Sequence, residues 1–121
     1  MDIVARASAA EPDANEKEIL ALLERYRLAT ESLDLKKLAD IYVAFTSEQE
    51  AAHARYFENV QELRVSIDSV DIAVVGSEAV LSFTRTDDFT DARTGREIHL
   101  SVRLTKLLVH DDEGWKIGSD E

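Results

Sequence analysis

The hydrophobic period of this chain changes once, near Arg64, and that change constrains the fold more than any other feature. Before it, apolar residues recur at steps of three and four. Ile19, Leu20, Leu22, Leu23, Tyr26 and Ala29 form one stripe; Leu35, Leu38, Ile41, Tyr42 and Phe45 form a second. Ala52, Tyr56, Phe57, Val60 and Leu63 form a third. A helix repeats its face about every 3.6 residues, so three amphipathic helices are predicted. Asn15-Glu-Lys-Glu18 and Ser47-Glu-Gln-Glu50 have the form of capping boxes, and Asp34 suits an N-cap between them. Beyond Arg64 apolar and polar residues alternate, as strands require. Arg64 to Asp68 alternates in one phase and Val70, Ile72 and Val74 in the other, which predicts a bulge at Asp68-Ser69.

The strands that follow are marked off by turn chemistry. Val75-Gly76-Ser77-Glu78 predicts a hairpin turn, with Gly76 free to take a positive φ. Ala79 to Phe89 is a second strand with Ala79, Leu81 and Phe83 on one face. After Asp91-Ala-Arg-Thr-Gly95, a third strand from about Arg96 to Val109 places Ile98, Leu100, Val102 and Leu104 together. Its other face holds His99, Ser101, Arg103 and Thr105. Asp111-Asp-Glu-Gly114 closes the last turn before a short strand at Trp115-Lys-Ile117. Helices first and hairpin-linked strands second predict an α+β domain, with three N-terminal helices packed on one face of an antiparallel sheet.

A length of 121 residues suits one domain, which is expected over 15–121 behind a flexible tail at 1–14. The absence of cysteine excludes disulfides, thiolate nucleophiles and cysteine-ligated metals. The 25 acidic residues against 14 basic ones give a net charge of −11, which repels phosphate backbones and anionic lipid. Nucleic acid and membrane are therefore not expected as partners. Without a basic, apolar leader the chain is expected to be cytoplasmic. Ala7-Ser8-Ala9 has the form of a signal-cleavage site, which keeps a secreted or periplasmic alternative open.

The order of parts carries a resemblance. Leu22-Leu-Glu-Arg-Tyr26, Leu33-Asp-Leu35 and Leu38-x-x-Ile41-Tyr42 resemble the opening of the nuclear transport factor 2-like, or SnoaL-like, superfamily, which includes ketosteroid isomerases and polyketide cyclases. Val102 to Val109, an acidic-Gly turn and Trp115-Lys-Ile117 resemble its last two strands. The resemblance implies a strongly curved sheet wrapped around the helices as a cone, the cystatin-like α+β roll, with a pocket at its open end. Active members usually carry a short strand or hairpin between the second and third helices, often with a catalytic carboxylate. Here Tyr42-Val-Ala-Phe-Thr-Ser47 passes almost directly between helices, which resembles trimmed accessory domains of bacterial kinase and repeat proteins.

Candidate chemistry is sparse. Tyr26 matches by position the oxyanion-donating tyrosine of ketosteroid isomerases, but their second acid would fall near Thr105, which is no acid. A buried ring with its hydroxyl hydrogen-bonded at the rim explains Tyr26 without chemistry. His53, His99 and His110 show no metal-ligand spacing, so no metal and no cofactor are expected. Arg85, Asp87, Asp88, Asp91 and Arg103 invite comparison with the Asp–Arg–Asp arrangement by which some family members hydrolyse epoxides. Arg85 and Arg103 stand in opposite alternation phases, however, and a solvated strand face with cross-strand ion pairs accounts for the set.

These observations predict a non-catalytic domain that binds a small apolar molecule or a protein. Tyr26, Tyr42, Tyr56, Phe57 and Trp115 are its expected pocket aromatics, and a homodimer through the outer sheet face is expected from the resemblance. No catalytic residue is assigned. The alternative is a SnoaL-like isomerase, cyclase or hydrolase acting on a small apolar substrate, using Tyr26, Asp68, Asp87 and Arg103.

Overall fold

A computed structural model of the chain describes residues 14–120. Three helices, α1 (Ala14–Glu31), α2 (Leu35–Asp40) and α3 (Ser47–Asn59), precede four strands. These are β1 (Val60–Val75), β2 (Glu78–Asp91), β3 (Glu97–Asp111) and β4 (Gly114–Asp120). The strands form one antiparallel meander in the order β1-β2-β3-β4, so the α+β architecture is as the change of period requires. The expected tail at 1–14 lies outside the described residues except for Ala14, which opens α1.

Helix α1 lies across the concave side of the sheet and buries Ile19, Leu22, Leu23, Tyr26, Ala29 and Thr30. Its partners in the core include Leu38, Ile41, Leu81, Phe83, Leu108 and Ile117. Arg27 and Glu31 tie the helix to β1: Arg27 Nη1 donates to the Val65 carbonyl at 3.3 Å, and Glu31 accepts from the Val65 amide at 2.9 Å. The expected cap at Asn15 is not found, because α1 already includes that residue. Asn15 Oδ1 instead accepts from Trp115 Nε1 at 3.3 Å, joining the start of the helix to β4.

Asp34 does cap α2, accepting from the Lys37 amide at 3.0 Å. The box at the start of α3 is displaced by one residue from the predicted one. Thr46 accepts from the Gln49 amide at 3.1 Å while Gln49 Oε1 accepts from the Thr46 amide at 2.9 Å. Both orphan donors are satisfied reciprocally, so Thr46→Ala is expected to cost about 1 kcal/mol of stability, read by urea denaturation. Ser47→Ala should leave the midpoint nearly unchanged.

The third helix is shorter than its apolar spacing predicts. Val60 and Leu63 are strand residues, and with Val65 they form a small second core beside Leu33, Tyr56, Ile67 and Phe89. The step of three from Val60 to Leu63 arises from a bulge: Glu62 has φ 55° and the register with β2 shifts between Gln61 and Arg64. One inserted residue thus imitates helical spacing. A second bulge lies where the phase switch predicts it, with Ser69 at φ 54° and a register shift between Asp68 and Asp71. These interruptions bend a 16-residue strand around the helices. Gly76 has φ 62° in the β1–β2 turn.

The missing strand between α2 and α3 proves to be reduced rather than absent. Tyr42 forms a parallel bridge with Ile117: the Ile117 amide donates to the Ile41 carbonyl at 2.8 Å, and the Val43 amide donates to the Ile117 carbonyl at 2.9 Å. The link covers part of the β4 edge and fixes Ile41 and Tyr42 in the core.

Candidate functional site

Alternation along β2 carries a polar pair into the interior. Ala79, Leu81 and Phe83 point into the core, and the same phase continues to Arg85 and Asp87. The Arg85 side chain is 13% exposed and that of Asp87 9%, which corrects the expectation of a solvated ion-pair face. The pairing is a fork: Arg85 Nε donates to Asp87 Oδ1 at 2.8 Å and Nη2 donates to Oδ2 at 2.6 Å. Two aromatic hydroxyls complete the cluster. Arg85 Nη1 donates to Tyr26 Oη on α1 at 2.6 Å, and Tyr56 Oη on α3 donates to Asp87 Oδ2 at 2.5 Å. The guanidinium carbon also lies 5.7 Å from the Tyr26 ring centre and 5.8 Å from that of Tyr56.

Burial opposes the charge of Arg85, yet the hydrogen bonds to Asp87 and the tyrosine contact outweigh it and hold the guanidinium firmly protonated. Burial, reinforced by the Asp87 carboxylate, pushes the Tyr56 phenol above its ordinary value of 10.0. Tyr56 therefore keeps its proton as a donor. Since the folded state holds that proton more tightly than the unfolded chain, its contribution is complete below pH 10 and declines as the pH rises further. Wild type should lose stability more steeply above that point than Tyr56→Phe, as measured by urea midpoints at successive pH values. Parallel curves would show that the phenol is not held by Asp87.

Above this cluster lies a cavity of about 340 Å³. Ala52, His53 and Tyr56 of α3 form one wall, Leu100, Val102 and Leu104 of β3 the other, and Arg85 and Asp87 the polar end. Register explains the arrangement: Val102 pairs with Arg85, and Leu100 with Asp87. Leu100 and Val102 share the inward phase of Leu104 and Leu108 but remain 48% and 45% exposed. Helix α3, which buries no residue completely, stands off from them and leaves the space. His53 sits between Phe45 and Phe57, with ring centres 5.6 and 6.2 Å away.

The residues singled out from the sequence divide sharply. Tyr56 lines the cavity, and Tyr26 supports its polar end from the core, its ring edge-on to Phe83 at 5.8 Å. Tyr42 is buried near Phe45, Phe57 is partly buried against the main core, and Trp115 packs against His110 and Asn15. None of these three lines the cavity. Of the alternative catalytic set, Asp87 is brought to Tyr26 through Arg85. Asp68 is exposed at the bulge, and Arg103 is exposed on the outer face, where it donates to the Ser69 carbonyl, Thr84 and Asp71.

Arg85 and Asp87 therefore supply two of the three members of an Asp–Arg–Asp arrangement. Among the described residues, a tyrosine hydroxyl occupies the further Arg85 contact where a second carboxylate would be required. Thr105 faces outward, hydrogen-bonded to Ser82 at 3.0 Å. Its neighbour Lys106 faces inward, 4% exposed, with Nζ 4.8 Å from the Tyr26 ring centre. Sequence reasoning missed Lys106 and the inward placement of Arg85, although their strand phases carried the signal. Removing the Tyr26 hydroxyl as Tyr26→Phe leaves a buried charged donor short of an acceptor, so a loss of about 1–3 kcal/mol is expected in urea denaturation. No group of three or more His, Asp or Glu among the described residues is placed to hold a metal ion. No helix among them is long and apolar enough to cross a membrane.

The model of the SnoaL-like domain family matches residues 19–119. The chain belongs to the SnoaL-like family. Its fold is shared with solved structures of the nuclear transport factor 2-like superfamily. A candidate dehydratase of that superfamily from Streptomyces avermitilis superposes with a TM-score of 0.80 at 15% identity, covering 91% of this chain and 95% of that one. A candidate aromatic ring hydroxylase from Novosphingobium aromaticivorans gives 0.81 at 13% identity, covering 91% and 88%. A candidate calcium/calmodulin-dependent protein kinase II association domain from Xanthomonas campestris gives 0.74 at 19% identity, covering 93% and 87%. No curated protein sequence matches the chain significantly. Three different names attach to one fold, so the site must supply the functional argument.

Proposed function

We propose that this SnoaL-like domain binds a compact, largely apolar small molecule in the cavity between α3 and β3 without transforming it. One observation carries the reading: apolar walls from Leu100, Val102 and Leu104 converge on a single polar cluster. The volume of about 340 Å³ falls at the small end of the range usual for ligand pockets, roughly 300–1,000 Å³. Both Asp87 oxygens already accept hydrogen bonds from protein donors, so a substrate proton would have to displace one to reach a lone pair. That favours binding over acid–base chemistry.

The uncharged fluorophore N-phenyl-1-naphthylamine tests this reading. It should bind saturably to the wild type, and Ala52→Trp, which places an indole in the cavity, should weaken it by at least about tenfold with the fold retained. Unchanged binding in that variant would move the ligand elsewhere. The second reading, a SnoaL-like isomerase, cyclase or hydrolase, draws on the sharing of this cavity by Asp87 and His53. Turnover of a small apolar substrate that vanishes in His53→Ala, with binding retained, would establish it instead.

The expected homodimer through the outer sheet face belongs to the same proposal. That face combines Val80, 41% exposed, with Leu107, Val109 and the cross-strand pairs Ser82–Thr105 and Thr86–Ser101. Its mixed character suits a non-obligate interface. Light scattering should return twice the 13.6 kDa chain mass at high concentration, and Val80→Glu should return the single mass.

A further inference from the structure

The polar end of the cavity contains a donor set that the protein only partly uses. A guanidinium has five N–H groups. Arg85 directs Nε and one Nη2 hydrogen at Asp87, and one Nη1 hydrogen at Tyr26. The second hydrogens of Nη1 and Nη2 meet no acceptor among the described residues, although the side chain is only 13% exposed and borders the cavity. The Tyr56 proton is not available to a ligand, because it is given to Asp87. Arg85 thus brings two charged N–H donors to the border of a space walled mainly by Ala52, Leu100, Val102 and Leu104.

We propose that these free Arg85 hydrogens select the ligand's polar end, and that this end is an uncharged acceptor of the carbonyl class rather than a carboxylate. The inference rests on the reading of the cavity as a ligand site. Its second half follows from charge balance. Asp87 already neutralises Arg85 through the two-point fork, so a carboxylate would leave water for a formally neutral pair. A carbonyl oxygen accepts the same charge-assisted hydrogen bonds with a far smaller loss of hydration. His53 is the remaining titratable group of the wall. Lys106 does not line the cavity.

Three probes with one skeleton separate the contributions: tetralin, 1-tetralone and tetralin-1-carboxylate, titrated calorimetrically at pH 8. The wild type should bind 1-tetralone about tenfold more tightly than tetralin, the difference one hydrogen bond to a charged donor makes, and prefer it to the carboxylate by at least as much. Asp87→Asn leaves the guanidinium uncompensated, so there the carboxylate should gain on the ketone by about tenfold or more. A purely structural role for Asp87 would leave that ratio unmoved. Equal affinities for tetralin and 1-tetralone would overturn the role of Arg85 while leaving the ligand cavity standing. Tightest binding of the carboxylate by the wild type would overturn the preference for an uncharged group. Failure of all three to bind would remove the cavity reading and the proposal together. Should the Asn variant not fold, the wild-type series alone decides.

Discussion

Asp87→Ala is expected to destabilise the domain by about 3–5 kcal/mol, because it strands the Arg85 guanidinium in the interior. The partners in this pair are 13% and 9% exposed, so neither charge can turn outward to recover full hydration. Alanine would remove the acceptor for two Arg85 donors and for the Tyr56 hydroxyl at once. Urea denaturation gives the loss directly. The double variant Arg85→Met/Asp87→Leu should be less damaged than Asp87→Ala, since removing both charges also removes their desolvation penalty. Its recovery should be incomplete, because the Tyr26 and Tyr56 hydroxyls would still lack their partners. A single-variant loss below about 1 kcal/mol would mean that water reaches the pair freely.

Phe83→Ala should cost a comparable amount, about 3–5 kcal/mol, for a different reason. Phe83 is completely buried at the middle of β2, edge-on to Tyr26 and paired in register with Leu104. Its removal opens a void where the α1 and sheet surfaces meet, and that void forfeits packing as well as transfer energy. Thermal unfolding should show a fall of several degrees for each kcal/mol lost. Phe83→Leu keeps most of the volume and should cost less than about 1.5 kcal/mol. If alanine costs no more than leucine, the core collapses around the gap and Phe83 is not its keystone.

The two substitutions probe the two ends of one inward-facing row, Phe83, Arg85 and Asp87. The row is continuous in geometry and discontinuous in chemistry. Where α1 covers it closely, the row is apolar; where the looser α3 lies opposite, it is ionic and borders the cavity. That transition creates the candidate site. The candidate dehydratase, the candidate ring hydroxylase and the candidate association domain share the fold with this chain. Their low identity leaves the Arg85–Asp87–Tyr26–Tyr56 cluster to be interpreted on its own contacts.

Local signals in the sequence determined much of the scaffold. The change of period near Arg64 located the passage from helices to sheet, Asp34 marked a helix start, and the phase switch at Asp68-Ser69 placed a bulge. The same reasoning misread Val60 and Leu63, because a bulge at Glu62 reproduces a helical step of three. It also set Arg85 and Asp87 on a solvated face, although both share the inward phase of Leu81 and Phe83. Alternation assigns a residue to a face, but it does not say whether that face is covered or whether a charge there finds partners. Tyr26 stands 59 positions from Arg85, and Tyr56 stands 31 from Asp87. Only the folded chain brings those hydroxyls to the ion pair and makes its burial tolerable. The sequence alone therefore determined the order and pitch of the elements, which depend on neighbouring residues. The tertiary structure decided which charges lie inside and where the cavity opens, because both depend on how far each helix stands from the sheet.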